Sequence, residues 1–167
     1  MAEIKTKKMF SGILIALTVV LAIFCVCRIF FIDWYTISGS SMYPTYKDGQ
    51  TVFALKIGEA KRFDAVVVDS TDLGLDGMDT IFKRVVAVEG DEIWSEDGVL
   101  VVFYDGEEHR FDNEKYGGGE LSKIPLDIPR QTVPEGCVFL LGDNRQTSID
   151  SRFFGCVEKE RIIAVVL

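Results

Sequence analysis

The stretch TIFKRVVAV, Thr80 to Val88, decides how this chain folds. Successive side chains on a strand point to opposite faces. Ile81, Lys83, Val85 and Ala87 therefore share one face, and Phe82, Arg84, Val86 and Val88 share the other. Both faces are mostly apolar, so at least one of Lys83 and Arg84 must enter an apolar setting. Outward from this strand the same composition recurs in TVFALKI (51–57), DAVVVDS (64–70), DEIW and VLVVFY (within 91–104), CVFLLG (137–142) and RIIAVVL (161–167). Turn signals punctuate these runs: Lys47-Asp48-Gly49, Asp72–Gly77, Glu89-Gly90-Asp91, Asp97-Gly98 and Asp105-Gly106. The pattern predicts a mainly β body, antiparallel, closed into a barrel-like or two-sheet domain. The polar segment Gly106–Gln131, with Gly117-Gly118-Gly119 in its middle, reads as a mobile surface excursion.

The N-terminal segment is of another kind. Met9 to Cys27 is 19 residues without a charge, and after Arg28 the apolar run resumes to Ile32. A helix needs about 20 apolar residues to cross the hydrocarbon core of a bilayer. A cleaved leader carries a shorter apolar core and a small-residue cut site, and no such site follows here. The expected organisation is a cytoplasmic tail (1–8), a membrane anchor helix (9–32) and an extracytoplasmic domain (33–167). Lys5, Lys7 and Lys8 before the span hold the N-terminus in the cytoplasm. Trp34 and Tyr35 suit the lipid–water interface, and Arg28 can reach outward to it.

The chain holds 18 Lys and Arg against 26 Asp and Glu, a net charge of −8. From Asp33 onward 14 basic residues face 25 acidic ones, a net −11. A field of that sign repels nucleic acid, so that partner class is excluded. One histidine and no C-x-x-C leave a structural zinc site almost without ligands. Cys25 and Cys27 are apolar filler in the span. Cys137 and Cys156 bracket a polar segment, and either a disulfide clamping it or two buried thiols fits the sequence.

Three segments carry chemistry. In Ser38-Gly39-Ser40-Ser41-Met42-Tyr43-Pro44-Thr45, glycine and proline bracket hydroxyls at a strand-to-turn junction; taken alone it reads first as a serine-rich loop after an anchor. Lys83, if desolvated, has its pKa lowered towards that of a competent base, whereas an arginine stays charged. A lysine that blunts an edge strand is the other reading. The third is Gly142-Asp143-Asn144-Arg145-Gln146-Thr147-Ser148-Ile149-Asp150-Ser151-Arg152-Phe153-Phe154-Gly155, dense in charges of alternating sign that can fix a buried loop by two-point contacts. His109 lies in the charged run Glu107-Glu108-His109-Arg110 and is a poor candidate for the base. For a serine hydrolase this leaves a lysine.

In this order behind an N-terminal anchor, SGSSMYPT, IFKRVVAVEGD and GDNRQTSIDSRFFG closely resemble the nucleophile, lysine and C-terminal boxes of the bacterial type I signal peptidases. RFDAVVV (62–68) resembles a weaker intermediate box, with Phe63 where a glycine is usual. The resemblance runs from the anchor to about Gly155. It implies a membrane-bound serine endopeptidase that removes signal peptides from exported preproteins, with Ser41 as nucleophile and Lys83 as base. It also implies that Ser148 orients the lysine amine and that Asp143, Arg145, Asp150 and Arg152 hold the loop beneath the site. Ile37, Met42, Ile81 and Phe82 match positions that line shallow pockets for small substrate side chains. The implied substrate is an extended peptide with Ala-like residues at the first and third positions before the cut, paired alongside Ile81–Lys83. No cofactor or metal is implied. The expected partners are signal peptides and membrane lipid, the expected state is a monomer, and the expected place is the cell membrane, crossed once.

Two departures stand out. Gly39 occupies a place where some members carry an oxyanion-donating serine, which throws more weight on the Ser41 main-chain N–H, or on Ser38 or Ser40. Gln146 stands where an acid is frequent. Rival readings are a soluble self-cleaving Ser–Lys regulator, against which the anchor speaks, and a non-catalytic anchored assembly factor or pilin chaperone, which should have lost Ser41 or Lys83.

Overall fold

The computed structural model describes residues 2–75, 77–111 and 127–167. Among the described residues a helix, α1 (Ala2–Phe30), leads into eleven strands: β1 (Ile32–Thr36), β2 (Thr51–Leu55), β3 (Ala65–Asp69), β4 (Thr80–Val88), β5 (Glu92–Glu96), β6 (Val99–Tyr104), β7 (Glu107–Phe111), β8 (Gln131–Thr132), β9 (Cys137–Leu141), β10 (Val157–Glu158) and β11 (Ile162–Val166). A short helix, α2 (Ser151–Phe154), interrupts the strands after β9.

Two sheets result, with strand orders β1-β2-β11-β3-β4-β9-β10 and β7-β6-β5-β8, and their pairings are antiparallel. This is the expected mainly β, two-sheet architecture. Val86 and Ala87 of β4 and Phe139 and Leu141 of β9 pack with Ile93, Leu100 and Val102, so β4 and β9 tie the sheets together. Alternation along β4 breaks where the register to β9 shifts between Val85 and Ala87. The bulge puts Ala87 in the same cluster as Val86, while Val85 packs elsewhere with Ile81. The expectation that Ala87 shares a face with Lys83 is corrected accordingly.

Within α1, Gly12–Phe30 is long and apolar enough to cross a membrane, and none of it is buried in the protein. The helix stops two residues short of the expected end at Ile32. There the backbone commits to a strand, with Ile32 opposite Leu55 and Thr36 opposite Thr51. Arg28 stacks over the Trp34 ring at 3.4 Å and pairs with Asp33, which also takes Lys56 at 2.8 Å. Hydrogen bonds from Lys56 and then Arg28 hold the Asp33 carboxyl down to about 2.

The excursion at Gly106–Gln131 is not irregular where it is described. Glu107–Phe111 pairs with β6, Ile128 is buried in the core, and Gln131–Thr132 pairs with β5. The Gly117-Gly118-Gly119 run lies outside the described residues. Cys137 and Cys156 are free thiols, so the disulfide alternative is not realised. The β9–β10 register sets Glu158, not Cys156, opposite Cys137, which leaves the two cysteines diagonal neighbours against one core cluster.

Candidate active site

The nucleophile box leaves β1 at Thr36 and turns beneath the sheet. The Ile37 N–H donates to Gln50 O and the Gly49 N–H to Ile37 O, both at 2.9 Å, and the Gly39 N–H donates to Asp48 Oδ1 at 2.8 Å. Gly39 has φ +86°, a conformation that costs glycine little. These bonds swing Ser41 towards β4, where Lys83 Nζ donates to Ser41 Oγ at 3.1 Å and to Phe82 O at 3.0 Å.

Lys83 is only 4% exposed. Both Lys83 and Arg84 are buried, and the two are handled differently. Arg84 is met by a carboxylate: its Nε and Nη2 donate to Asp143 at 2.8 and 2.6 Å, and its Nη1 donates to Phe63 O at 2.7 Å. Lys83 has a hydroxyl and a carbonyl instead. Burial therefore pushes its amine down from 10.5 to about 8; Asp150 opposes that fall, Arg152 adds to it, and Asp143 opposes it. An amine in that range, hydrogen-bonded to a serine hydroxyl, can accept the hydroxyl proton near neutral pH.

The C-terminal box forms a braced turn after β9. Asp150 caps α2, receives the Gly142 N–H at 3.0 Å and is held at two points by Arg152 at 2.7 and 2.9 Å. Arg152 also donates to Ser148 O at 3.1 Å. The Arg145 Nε donates to Gly142 O at 3.0 Å, and burial lowers this guanidinium to about 10. Gly142 sits where only hydrogen fits: a Cβ there would lie 2.2 Å from Ser148 Oγ and 2.6 Å from Ser41 O. Ser148 is buried beside the Ser41 loop, but among the described residues its Oγ has no hydrogen-bond partner, and the lysine amine bonds to Ser41 and Phe82 rather than to it.

A cleft of about 280 Å³ opens over the dyad. Ser38 to Ser41 and Lys83 line it, with an apolar wall of Val67, Leu75, Met78, Ile81, Phe82 and Ile149. Ile81 and Phe82 both stand in this wall. Ile37 and Met42 are packed inside the core with Val52, Ala65 and Val67 and do not line the cleft, because the turn that presents Ser41 carries its flanking apolar side chains inward. His109 is remote from the cleft, on β7, stacked on Tyr104 at 3.8 Å. Among the described residues no three His, Cys, Asp or Glu side chains gather in a metal-holding group.

One edge of β4 is open beside the dyad. β3 pairs with it from Thr80 to Arg84, whereas β9 joins on the other side only from Arg84, opposite Leu141, before the chain turns away at Gly142. Thr80–Lys83 therefore has one side of its backbone with no strand partner among the described residues.

Two residues of the site escaped the sequence. Asn144 Nδ2 donates to Ser40 O at 3.1 Å and its main-chain N–H to Ser41 O at 2.9 Å, and Arg84 anchors Asp143. Bonds to main-chain carbonyls leave no mark on periodicity. Arg84 carried a signal, since two cations side by side on a strand with two apolar faces require a buried acid.

The family model described as signal peptidase, peptidase S26, matches residues 9–167. Signal peptidase I of Bacillus licheniformis is 34% identical over 155 residues, covering 89% of this chain and 80% of that one. Signal peptidase IB of Staphylococcus aureus is 29% identical over 174 residues, covering 96% and 88%. The crystal structure of a signal peptidase I from Enterococcus faecalis V583 aligns with 66% of this chain and 99% of its own, at 25% identity and a TM-score of 0.47. With the family model spanning nearly its whole length, the chain belongs to the signal peptidase family, peptidase S26.

Proposed function

We propose that Ser41 and Lys83 are the dyad with which this chain, a serine endopeptidase of the signal peptidase family, removes signal peptides from preproteins. The observation that carries the assignment is the 3.1 Å contact between Lys83 Nζ and Ser41 Oγ, made by an amine that burial lowers to about 8. Neutral Lys83 takes the Ser41 proton as Oγ attacks the scissile carbonyl. The resulting ammonium gives a proton to the leaving amine, and water then hydrolyses the acyl-enzyme. Asp143, Arg145, Asp150 and Arg152 brace the turn against which Ser41 rests, and Ser148 stands ready to receive a donor when the lysine is charged.

The substrate lies extended along the open edge Thr80–Lys83, adding a strand to the sheet and turning alternate side chains into the wall of Ile81, Phe82, Val67 and Ile149. Three lysines before the span favour a cytoplasmic N-terminus, with residues from 33 onward outside the membrane and Trp34 and Arg28 at the lipid surface. Ser41 is nine residues beyond Ile32 and so within about 30 Å of the bilayer even if that chain were straight. This suits a substrate still held by its own apolar segment. The protein works as a monomer. Cleavage of a model precursor in lipid vesicles by wild type, Ser41→Ala and Lys83→Ala tests the assignment. Both variants are expected to be folded and inactive, and processing by either one overturns the dyad.

A further inference from the structure

The peptide joining Ser40 to Ser41 is trans, so its carbonyl and its N–H point in opposite directions. Asn144 Nδ2 holds the carbonyl end at 3.1 Å. The Asn144 main-chain N–H holds the next carbonyl, Ser41 O, at 2.9 Å. One residue thus grips the peptide planes on both sides of the Ser41 α-carbon. Asn144 is itself 5% exposed, and the N–H groups of Thr147 and Ser148 close on its carbonyl at 3.2 and 3.0 Å. With its carbonyl turned to Asn144, the Ser40–Ser41 plane must turn the Ser41 N–H the other way, towards the cleft that Ser41 lines. Among the described residues that N–H has no acceptor. Gly39 offers no hydroxyl to share its task.

We propose that Asn144 is a positioning residue for the oxyanion: by fixing the Ser40 carbonyl it aims the Ser41 main-chain N–H at the place where the scissile oxygen becomes negative. This rests on Ser41 being the nucleophile. Donors aimed in advance at developing charge are where such sites gain most of their rate, and a small misalignment forfeits much of it. The orientation matters to the tetrahedral state and little to the ground-state peptide, which identifies the readout.

The test compares full-length wild type, Asn144→Leu, Asn144→Asp and Ser41→Ala in lipid vesicles. Asn144→Asp keeps the side-chain shape and the main-chain bond to Ser41 O while replacing the donor. It therefore carries the test if the leucine variant fails to fold. Each is assayed for kcat and KM on a model precursor across pH, and for binding of a substrate-like peptide aldehyde and the matching peptide alcohol. Only the aldehyde can form a tetrahedral adduct with Ser41. The expected result is a fall in kcat of about 10–100-fold with KM within about twofold. The pH midpoint of the wild type should be kept in the uncharged Asn144→Leu, whereas the added carboxylate of Asn144→Asp raises the midpoint by itself; in both, aldehyde affinity should fall in proportion to kcat/KM, and alcohol affinity should be unchanged. Wild-type kcat or an equal loss of aldehyde and alcohol binding in either folded variant, or a moved pH midpoint in folded Asn144→Leu, overturns the assignment. Should Ser41→Ala still cleave the precursor, the dyad itself falls, which is a separate outcome.

Discussion

Arg84 and Asp143 meet as a two-point ion pair, at 2.8 and 2.6 Å, between β4 and the turn that follows β9. Both are almost wholly buried, and the pair lies one residue from the lysine on one side and from Asn144 on the other. Removing one partner strands a buried charge. Asp143→Ala is expected to cost about 3–5 kcal/mol in urea unfolding measured in detergent. Arg84→Met with Asp143→Leu removes both charges together and should cost less than the single change. A double variant as unstable as Asp143→Ala would show that packing at this place, not charge, is what the pair supplies.

The base is expected to reveal itself in pH. Activity requires the neutral amine, so the rate should climb as pH rises through about 8, the value to which burial lowers Lys83. His109→Ala should leave that profile unmoved. The same burial has an opposite effect on stability. The native amine binds its proton less readily than the unfolded one, so below about 8 both states are charged and the folded state bears the full penalty. Above 10.5 both are neutral and the penalty is gone. A fall from 10.5 to about 8 corresponds to about 3 kcal/mol. Lys83→Met should therefore be inactive yet more stable than wild type by up to about that amount below pH 8, with the difference fading as the pH rises towards 10.5. Thermal unfolding across pH checks it.

Gly142→Ala places a methyl group 2.2 Å from Ser148 Oγ and 2.6 Å from the Ser41 carbonyl. The carbonyl belongs to the nucleophile loop and cannot yield without moving Oγ. The expected loss in single-turnover rate is about 100-fold or more. Far-UV circular dichroism should confirm that the sheets persist.

Phe63 holds φ +73°, a left-handed conformation unfavourable for a bulky residue by about 1–2 kcal/mol. Its ring contacts Phe111 at 4.8 Å, and its carbonyl receives Arg84 at 2.7 Å. The backbone position is set by that hydrogen bond together with the one from the Phe63 N–H to Val85 O at 2.7 Å, and the ring contact offsets the strain. Phe63→Gly should be more favourable in a Phe111→Ala background than in wild type, by the roughly 0.5–1.5 kcal/mol of an aromatic pair. A double-mutant cycle read by urea unfolding decides it; no coupling would mean that the two rings are independent.

Several of these features were legible in the sequence. β4 runs from Thr80 to Val88 as its composition implies, because Val, Ile and Phe fill it and turn residues close both ends. The meeting of Ser41 with Lys83 was legible because the boxes kept their spacing and only one histidine competed. β1 was not, since Ile32–Thr36 continues an apolar anchor and its strand character comes from pairing with Thr51–Leu55. β7 was hidden by its charges: Glu107 and Glu108 are exposed on an edge strand, and only His109 and Phe111 turn inward. Ile37 and Met42 show the limit in the site. Their neighbourhood of Ser41 in sequence says nothing of the turn that sends them into the core.

The open edge at Thr80–Lys83 also bears on what a preprotein must do before it can be cut. Backbone groups there are met by water or by a partner whose own N–H and C=O groups are free, over about the length of four residues. A helical stretch has spent those groups on itself, and a folded domain has spent them on its neighbours. Two precursors with the same side chains at the cut are then distinguished by how readily that stretch unwinds. A substrate bound there as proposed would be selected for local disorder as well as for small residues, and folded proteins at the membrane surface would be spared by their own hydrogen bonds.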